Sequence, residues 1–157
     1  MPRLNLGCGK QYLDGWINID LYAEKVDMRI DLTQPLPFGD GCVSEIRAIH
    51  LIEHFSRAQW REVKRDWYRV LAWGGQLELQ CPALDACMRA WLDNKPAPVQ
   101  MPDFWMVVIY GGQEGPSQYH KNGFTAQTLK ADLEAEGFTV TQTEILDGWN
   151  LRMLAVK

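Results

Sequence analysis

The sequence predicts an α/β domain built on a mostly parallel sheet. Three observations carry the prediction. Short apolar or alternating segments recur along the chain, from Arg3–Leu6 to Leu151–Val156. Segments of helical period fall between several of them. A final pair of alternating segments, with Gly148 between them, closes as a hairpin and adds an antiparallel member. At 157 residues the chain is expected to form a single domain over 1–157.

Arg3–Leu6 runs straight into glycine and reads as a first strand with no helix before it. Trp16–Leu21 is a second short strand. Val26–Leu32 alternates and predicts a third, and Gln34–Gly41 is a Pro/Gly loop. Val43–Leu51 contains a fourth strand. Ser56, with Gln59 three residues on, reads as a helix cap. In the helix that follows, Trp60, Val63, Trp67, Val70 and Leu71 form a core-facing stripe. Arg57, Arg61, Lys64, Arg65 and Arg69 lie mostly off it and read as a solvated face rather than a phosphate patch. Gly74-Gly75 is expected to stop the helix, and Gln76–Cys81 to form a fifth strand closed by Pro82.

Residues 83–122 are expected to form an irregular lid or insertion. Ala83–Asn94 can be helical, Lys95–Pro102 is Pro-rich, and Asp103–Tyr110 is strongly aromatic. Thr125 caps a helix over Ala126–Glu136 that Gly137 ends, and Phe138–Thr143 and Leu151–Val156 are the last strands.

Composition narrows the function. The chain is 46% hydrophobic, with 16 Lys+Arg against 20 Asp+Glu, a net charge of −4. These values exclude a disordered tail and argue against clamping a nucleic-acid backbone. No apolar run approaches the ~20 residues of a membrane span, and no secretory signal is visible. Cys8, Cys42, Cys81 and Cys87 make no C-x-x-C, which speaks against a zinc ribbon and fits a cytoplasmic protein. The last three read as buried apolar residues.

Gly7-Cys8-Gly9 follows the first strand, where glycines allow a sharp turn and close approach to a ligand. A dinucleotide fingerprint would need glycine at position 12, where Tyr12 stands. Gln11–Gly15 is too short to open a helix onto a pyrophosphate. The loop therefore suits a nucleoside-type cofactor without one. Asp20, at the end of the second strand, can accept both ribose hydroxyls or be a plain loop acid. Asp31 can accept from an adenine amino group or shape the turn before Thr33.

Four stretches in order, LNLGCGKQYLDGWINID, DLTQPLPFGDGCVSEI, IHLIEHF and RVLAWGGQLELQCP, with a weaker fifth, HKNGFTAQTLKADLEAEGF, resemble the class I S-adenosylmethionine-dependent methyltransferases of the small type 11 kind. The resemblance implies a Rossmann-like, mostly parallel seven-stranded sheet with an antiparallel last strand, lacking the N-terminal helix. It implies S-adenosyl-L-methionine as cofactor, with Gly7, Cys8 and Gly9 under its methionine portion, Asp20 and Leu21 at the ribose, Asp31 and Leu32 at the adenine, and His50 beside the cofactor. Asn5, where the family carries an acid, belongs to the same set. Gln11 replaces a usual glycine, and the first crossover helix is nearly deleted, which leaves the methionine end open to closure by another chain.

The implied reaction is methyl transfer to an O, N or C acceptor, a small molecule or a glycan. The alternative is a cofactor-binding partner subunit without activity. His50 and His120 are the candidate bases, His120 also being read as a loop-fixing hydrogen bonder. His50-Leu51-Ile52-Glu53-His54 also matches H-x-x-E-H, a zinc hydrolase signature, with Glu134 or Glu136 as a distal ligand. Here His50 closes a strand rather than lying within a helix, and the same letters in the methyltransferase pattern carry no metal, so none is expected. Glu53 and His54 then cap or orient the opening of the helix that follows. Phe104, Trp105, Tyr110 and Tyr119 form either an acceptor pocket and lid or a self-association surface over 103–119.

Overall fold

A computed structural model describes all 157 residues. Six strands, β1 (Arg3–Leu6), β2 (Ile17–Ile19), β3 (Val43–Ile49), β4 (Leu71–Pro82), β5 (Thr139–Leu146) and β6 (Asn150–Val156), form one sheet in the order β2-β1-β3-β4-β6-β5. Pairs among β1 to β4 are parallel, and β6 runs antiparallel to both neighbours. The antiparallel closing strand is as expected; the seventh strand is not formed.

The segment expected to be that strand, 26–32, makes one parallel bridge, Ile19 with Met28. The cause is Asp27. Its carboxylate accepts the Asn18 backbone N–H at 2.7 Å, the donor a neighbouring strand carbonyl would otherwise take. Arg29 then folds back to the carbonyls of Leu21 and Ala23, ending the pairing.

Helix α1 (Arg57–Val70) starts on the expected cap. The Ser56 hydroxyl accepts from Gln59 N, and the Gln59 side chain accepts from Ser56 N. It ends at Val70, before the glycine pair. β4 begins at once, and Gly74-Gly75 lies in a bulge within it, since Val43 pairs with Leu71 while Glu45 pairs with Gln76. The expected solvated face is only partly so. Lys64 is buried, donating to the Asp132 carbonyl, and Arg69 ties the 34–41 loop through Asp66, Asp40 and the carbonyls of Leu36 and Phe38.

The main core joins both halves of the sheet to α1 and α4 (Ala126–Glu136). Trp60 meets Trp67 and Phe124 edge-to-face at 5.7 Å, and its N–H donates to Asp132. α4 has the expected Thr125 cap and Gly137 end.

The region 83–122 is more regular than expected. It holds α2 (Leu84–Leu92), α3 (Phe104–Tyr110) and a 3-10 turn at Pro116–Gln118. Phe104 and Val108 of α3 pack on Cys87 of α2 as a second, small core, with Trp149 edge-on to Phe104 at 5.2 Å. Phe104, Val107 and Val108 span one helical turn, so a short apolar helix forms here because a partner face exists for it. No cysteine is bridged, and no helix is long and apolar enough to cross a membrane.

Candidate functional site

β1, β2 and β3 end side by side, and the loops leaving their carboxyl ends enclose a cleft of about 1040 Å³. Gly7, Gly9, Asp20, Leu21, Asp31, Leu32 and His50 all line it. Six of these come from the glycine loop and the two acidic turns, with Gly7 and Leu32, at their extremes, 25 positions apart in sequence. The sheet brings them to one edge.

The turn from β1 to β2 has no crossover helix, and side chains hold it instead. Asn5, 2% exposed, donates to the Gln11 carbonyl at 2.7 Å and to the Asn18 amide oxygen at 2.9 Å. Asn18 in turn accepts from Leu13 N and donates to Leu13 O and to Asp27. Tyr12 donates its hydroxyl to Asp27 at 2.8 Å. These bonds hold the Asp27 carboxyl below its usual range, the Asn18 backbone N–H foremost. Asn5 and Cys8 are therefore not on the cleft surface. Asn5 buttresses the loop from behind, and Cys8 is buried, its thiol pushed up by burial and then by the Asp20 charge.

Gly7 has φ +63, and a Cβ there would stand 2.8 Å from Leu51 Cδ1. Its glycine requirement is set both by the positive φ and by packing against the segment after β3. Gly9, at φ +50, has nothing within 4 Å of such a Cβ. Its N–H donates to Asp20 Oδ2 at 2.9 Å, while Asp20 Oδ1 accepts from Tyr22 N and Ala23 N. A carboxylate has about four acceptor positions; three are used, which leaves one on Oδ2 for a ligand hydroxyl. Asp31 Oδ1 accepts from the N–H and hydroxyl of Thr33, the expected turn, and Oδ2 is free.

His50 sits at φ +51, where the chain leaves β3 for the 3-10 turn Ile52–His54. Its ring stacks on Trp149 at 5.8 Å, and Nδ1 lies 3.2 Å from Glu53 Oε1. Glu53 is 2% exposed. His120 does not line the cleft. Its Nδ1 faces the Val108 carbonyl at 3.0 Å, and burial, over an opposing pull from Glu53, holds its pKa below the usual value. Nor do Phe104, Trp105, Tyr110 and Tyr119 line it. From that region only Pro116, Ser117, Gln118 and Lys121 do. Buried Cys81 and Cys87, the latter thiol raised to about 11, offer no nucleophile.

The residues that sequence reasoning missed are Asn18 and Asp27. The signal was present: two polar residues inside predicted strands, where a buried amide needs partners.

No family model and no curated protein matches the chain by sequence. Solved structures match it by shape. A SAM-dependent methyltransferase from Archaeoglobus fulgidus superposes with a TM-score of 0.66 at 15% identity, covering 99% of this chain and 86% of that one. The chain has the class I S-adenosylmethionine-dependent methyltransferase fold. A putative S-adenosylmethionine-dependent methyltransferase from Listeria monocytogenes gives 0.66 at 13% identity, covering 99% and 90%. A putative methyltransferase from Haloferax volcanii, in complex with the Trm112 methyltransferase activator, gives 0.64 at 12%, covering 99% and 81%.

Proposed function

We propose that the chain is a methyltransferase that uses S-adenosyl-L-methionine to methylate an O, N or C acceptor, a small molecule or a glycan. The observation that carries the reading is the convergence of Gly7, Gly9, Asp20, Asp31 and His50 on one cleft at the carboxyl ends of β1 to β3. The cleft also suits the cofactor chemically. Leu21, Ile30 and Leu32 give an apolar slot beside Asp31, Asp20 keeps a free acceptor position for a ribose hydroxyl, and Lys10 offers a cation for a carboxylate.

When bound, that cofactor supplies a methyl group activated on a sulfonium. The chain's own work is alignment and proton handling. With Nδ1–H directed at the Glu53 carboxylate, His50 presents Nε2 to take a proton from an acceptor. His50 rather than His120 has this role, because it reaches the cleft.

Calorimetric titration with S-adenosylmethionine and its demethylated product tests the reading. One site per chain is expected, and no heat or thermal shift at millimolar ligand with a folded sample rejects it.

A second reading, a cofactor-binding subunit completed by a partner, is favoured by the missing crossover helix and by the Haloferax neighbour seen with an activator. Turnover of any member of a broad acceptor panel by the chain alone decides for the enzyme.

A further inference from the structure

Behind His50 the chain assembles a second set of groups, of which the methyl-transfer reading uses only the Glu53 oxygen that meets His50. Glu53 and His54 stand on the 3-10 turn, and His120 comes from a segment 66 residues on (120 − 54). One ligand atom from each lies within 4.8 Å of the other two. The His54 and His120 rings meet edge-on with centroids 4.8 Å apart.

Two features make this more than a cluster. The first is an orphaned oxygen: Glu53 Oε1 serves His50, while Oε2 is buried and has no hydrogen-bond partner. A buried, unpartnered carboxylate oxygen is costly unless a proton or a cation meets it. The second is the way the imidazoles are held. Nδ1 of His54 lies 3.1 Å from the Tyr119 carbonyl, and Nδ1 of His120 lies 3.0 Å from the Val108 carbonyl. A carbonyl only accepts, so each Nδ1 carries the hydrogen and each neutral ring keeps its lone pair on Nε2. That is the outer-shell arrangement that orients metal-binding histidines. The backbone fixes the pieces to each other as well: the N–H groups of Lys121 and Asn122 both donate to the Glu53 carbonyl.

We propose that Glu53 Oε2, His54 Nε2 and His120 Nε2 form a site for a divalent cation of the zinc class. Two imidazoles and one carboxylate suit zinc or cobalt, whereas magnesium prefers an all-oxygen shell. Bonds of about 2.0–2.1 Å in tetrahedral geometry set ligand atoms about 3.3 Å apart, so the three side chains close inward by small rotations on binding. Three protein ligands leave a fourth position open. His54 also lines the cleft, so the site adjoins it. The site is not the one its H-x-x-E-H letters suggest. Glu53 is a ligand here, not the base of a hydrolase, and the distal acid Glu136 is committed to Lys64 and Arg65.

The test uses the full chain, freed of metal with a chelator and without S-adenosylmethionine, so that it is independent of cofactor binding. Titration with zinc chloride should show one equivalent bound per chain. In the unmodified chain, 15N spectra should show the Nε2 resonances of His54 and His120 shifting together, and by more than those of His50, which only hydrogen-bonds the Glu53 carboxylate. Cobalt chloride should give a visible d–d band, and magnesium chloride should change nothing. His120→Ala should weaken zinc by about a hundredfold or more. Zinc that leaves both imidazole resonances unmoved overturns the proposal, as does its failure to bind at micromolar concentration. The spectral arm holds even if the variant does not fold.

Discussion

Gly7 shows how one residue couples the loop to the rest of the site. Its positive φ costs a side chain about 1–2 kcal/mol, and its Cβ would press on Leu51, the residue after His50. Gly7→Ala should therefore lower stability by about 1–3 kcal/mol in chemical denaturation. Adding Leu51→Ala should relieve the steric part of that loss but not the backbone part; full additivity of the two losses would show that the contact does not matter. Asp20 couples in another way. It holds Gly9 N, Tyr22 N and Ala23 N at once. Asp20→Ala should weaken S-adenosylmethionine by about 1–3 kcal/mol. Asp20→Asn should do less, because one amide oxygen still accepts from Tyr22 and Ala23. Equal affinities for the parent and Asp20→Ala in calorimetry would take the residue out of the site.

At the scale of elements, the expected aromatic lid divides in two. α3 is packed, with Phe104 buried against Cys87, Trp105 and Trp149. The part that reaches the cleft is the turn at Pro116–Gln118, which packs on Gly111, where a Cβ would stand 1.8 Å from the Gln118 carbonyl oxygen. We expect the amides of 111–118 to gain exchange protection when cofactor and acceptor bind, with those of α3 unchanged. Gly111→Ala should expose the turn to exchange while the sheet stays protected. If Trp105→Ala instead turns a dimer into a monomer in sedimentation with ligand affinity unchanged, the exposed face of α3 is an oligomer contact. The helices α1 and α4 were legible from their periodicity and caps because those signals are local. The strand expected over 26–32 was not, since alternation reports a face to bury but not whether the neighbouring backbone is free to pair, and here the Asp27 side chain takes the Asn18 donor. α3 was hidden for the converse reason: seven residues show little period, and the helix depends on partners distant in sequence, Cys87 and Trp149. The cleft residues were legible because turn glycines and acids at strand ends carry position-specific signals. The Glu53–His54–His120 cluster was not, because only the fold brings His120 to the turn.

Across the whole molecule, the four strands β3, β4, β6 and β5 are tied by one row of charges. Arg47 lies 3.3 Å from Glu78, Arg152 donates to Glu78 at 2.7 Å, and Arg152 reaches Glu144 at 2.8 Å. The row crosses from the parallel half of the sheet to the antiparallel hairpin, so it links the cleft-bearing strands to the closing pair. Burial drives the Glu78 carboxyl upward, but the bond and charge of Arg152 and the charge of Arg47 outweigh it, and the net pKa lies below the ordinary 4.5. A carboxyl depressed in the folded state binds its proton more readily when unfolded. Its contribution is complete above the unfolded pKa and is lost as pH falls through the folded one. The stability of the chain should thus be flat on this account from neutral pH down to about 5 and decline below it. Glu78→Gln keeps the size of the side chain and removes the titration. It should lower stability at pH 7 and flatten the acid limb of the denaturation midpoint plotted against pH. Since Arg152 keeps Glu144, the hairpin should remain folded in the variant, and exchange should quicken first along the β4–β6 seam. An acid limb as steep in Glu78→Gln as in the parent would move the pH sensitivity to another carboxylate. Asp27, also depressed and at the opposite edge of the sheet, is then the residue to substitute.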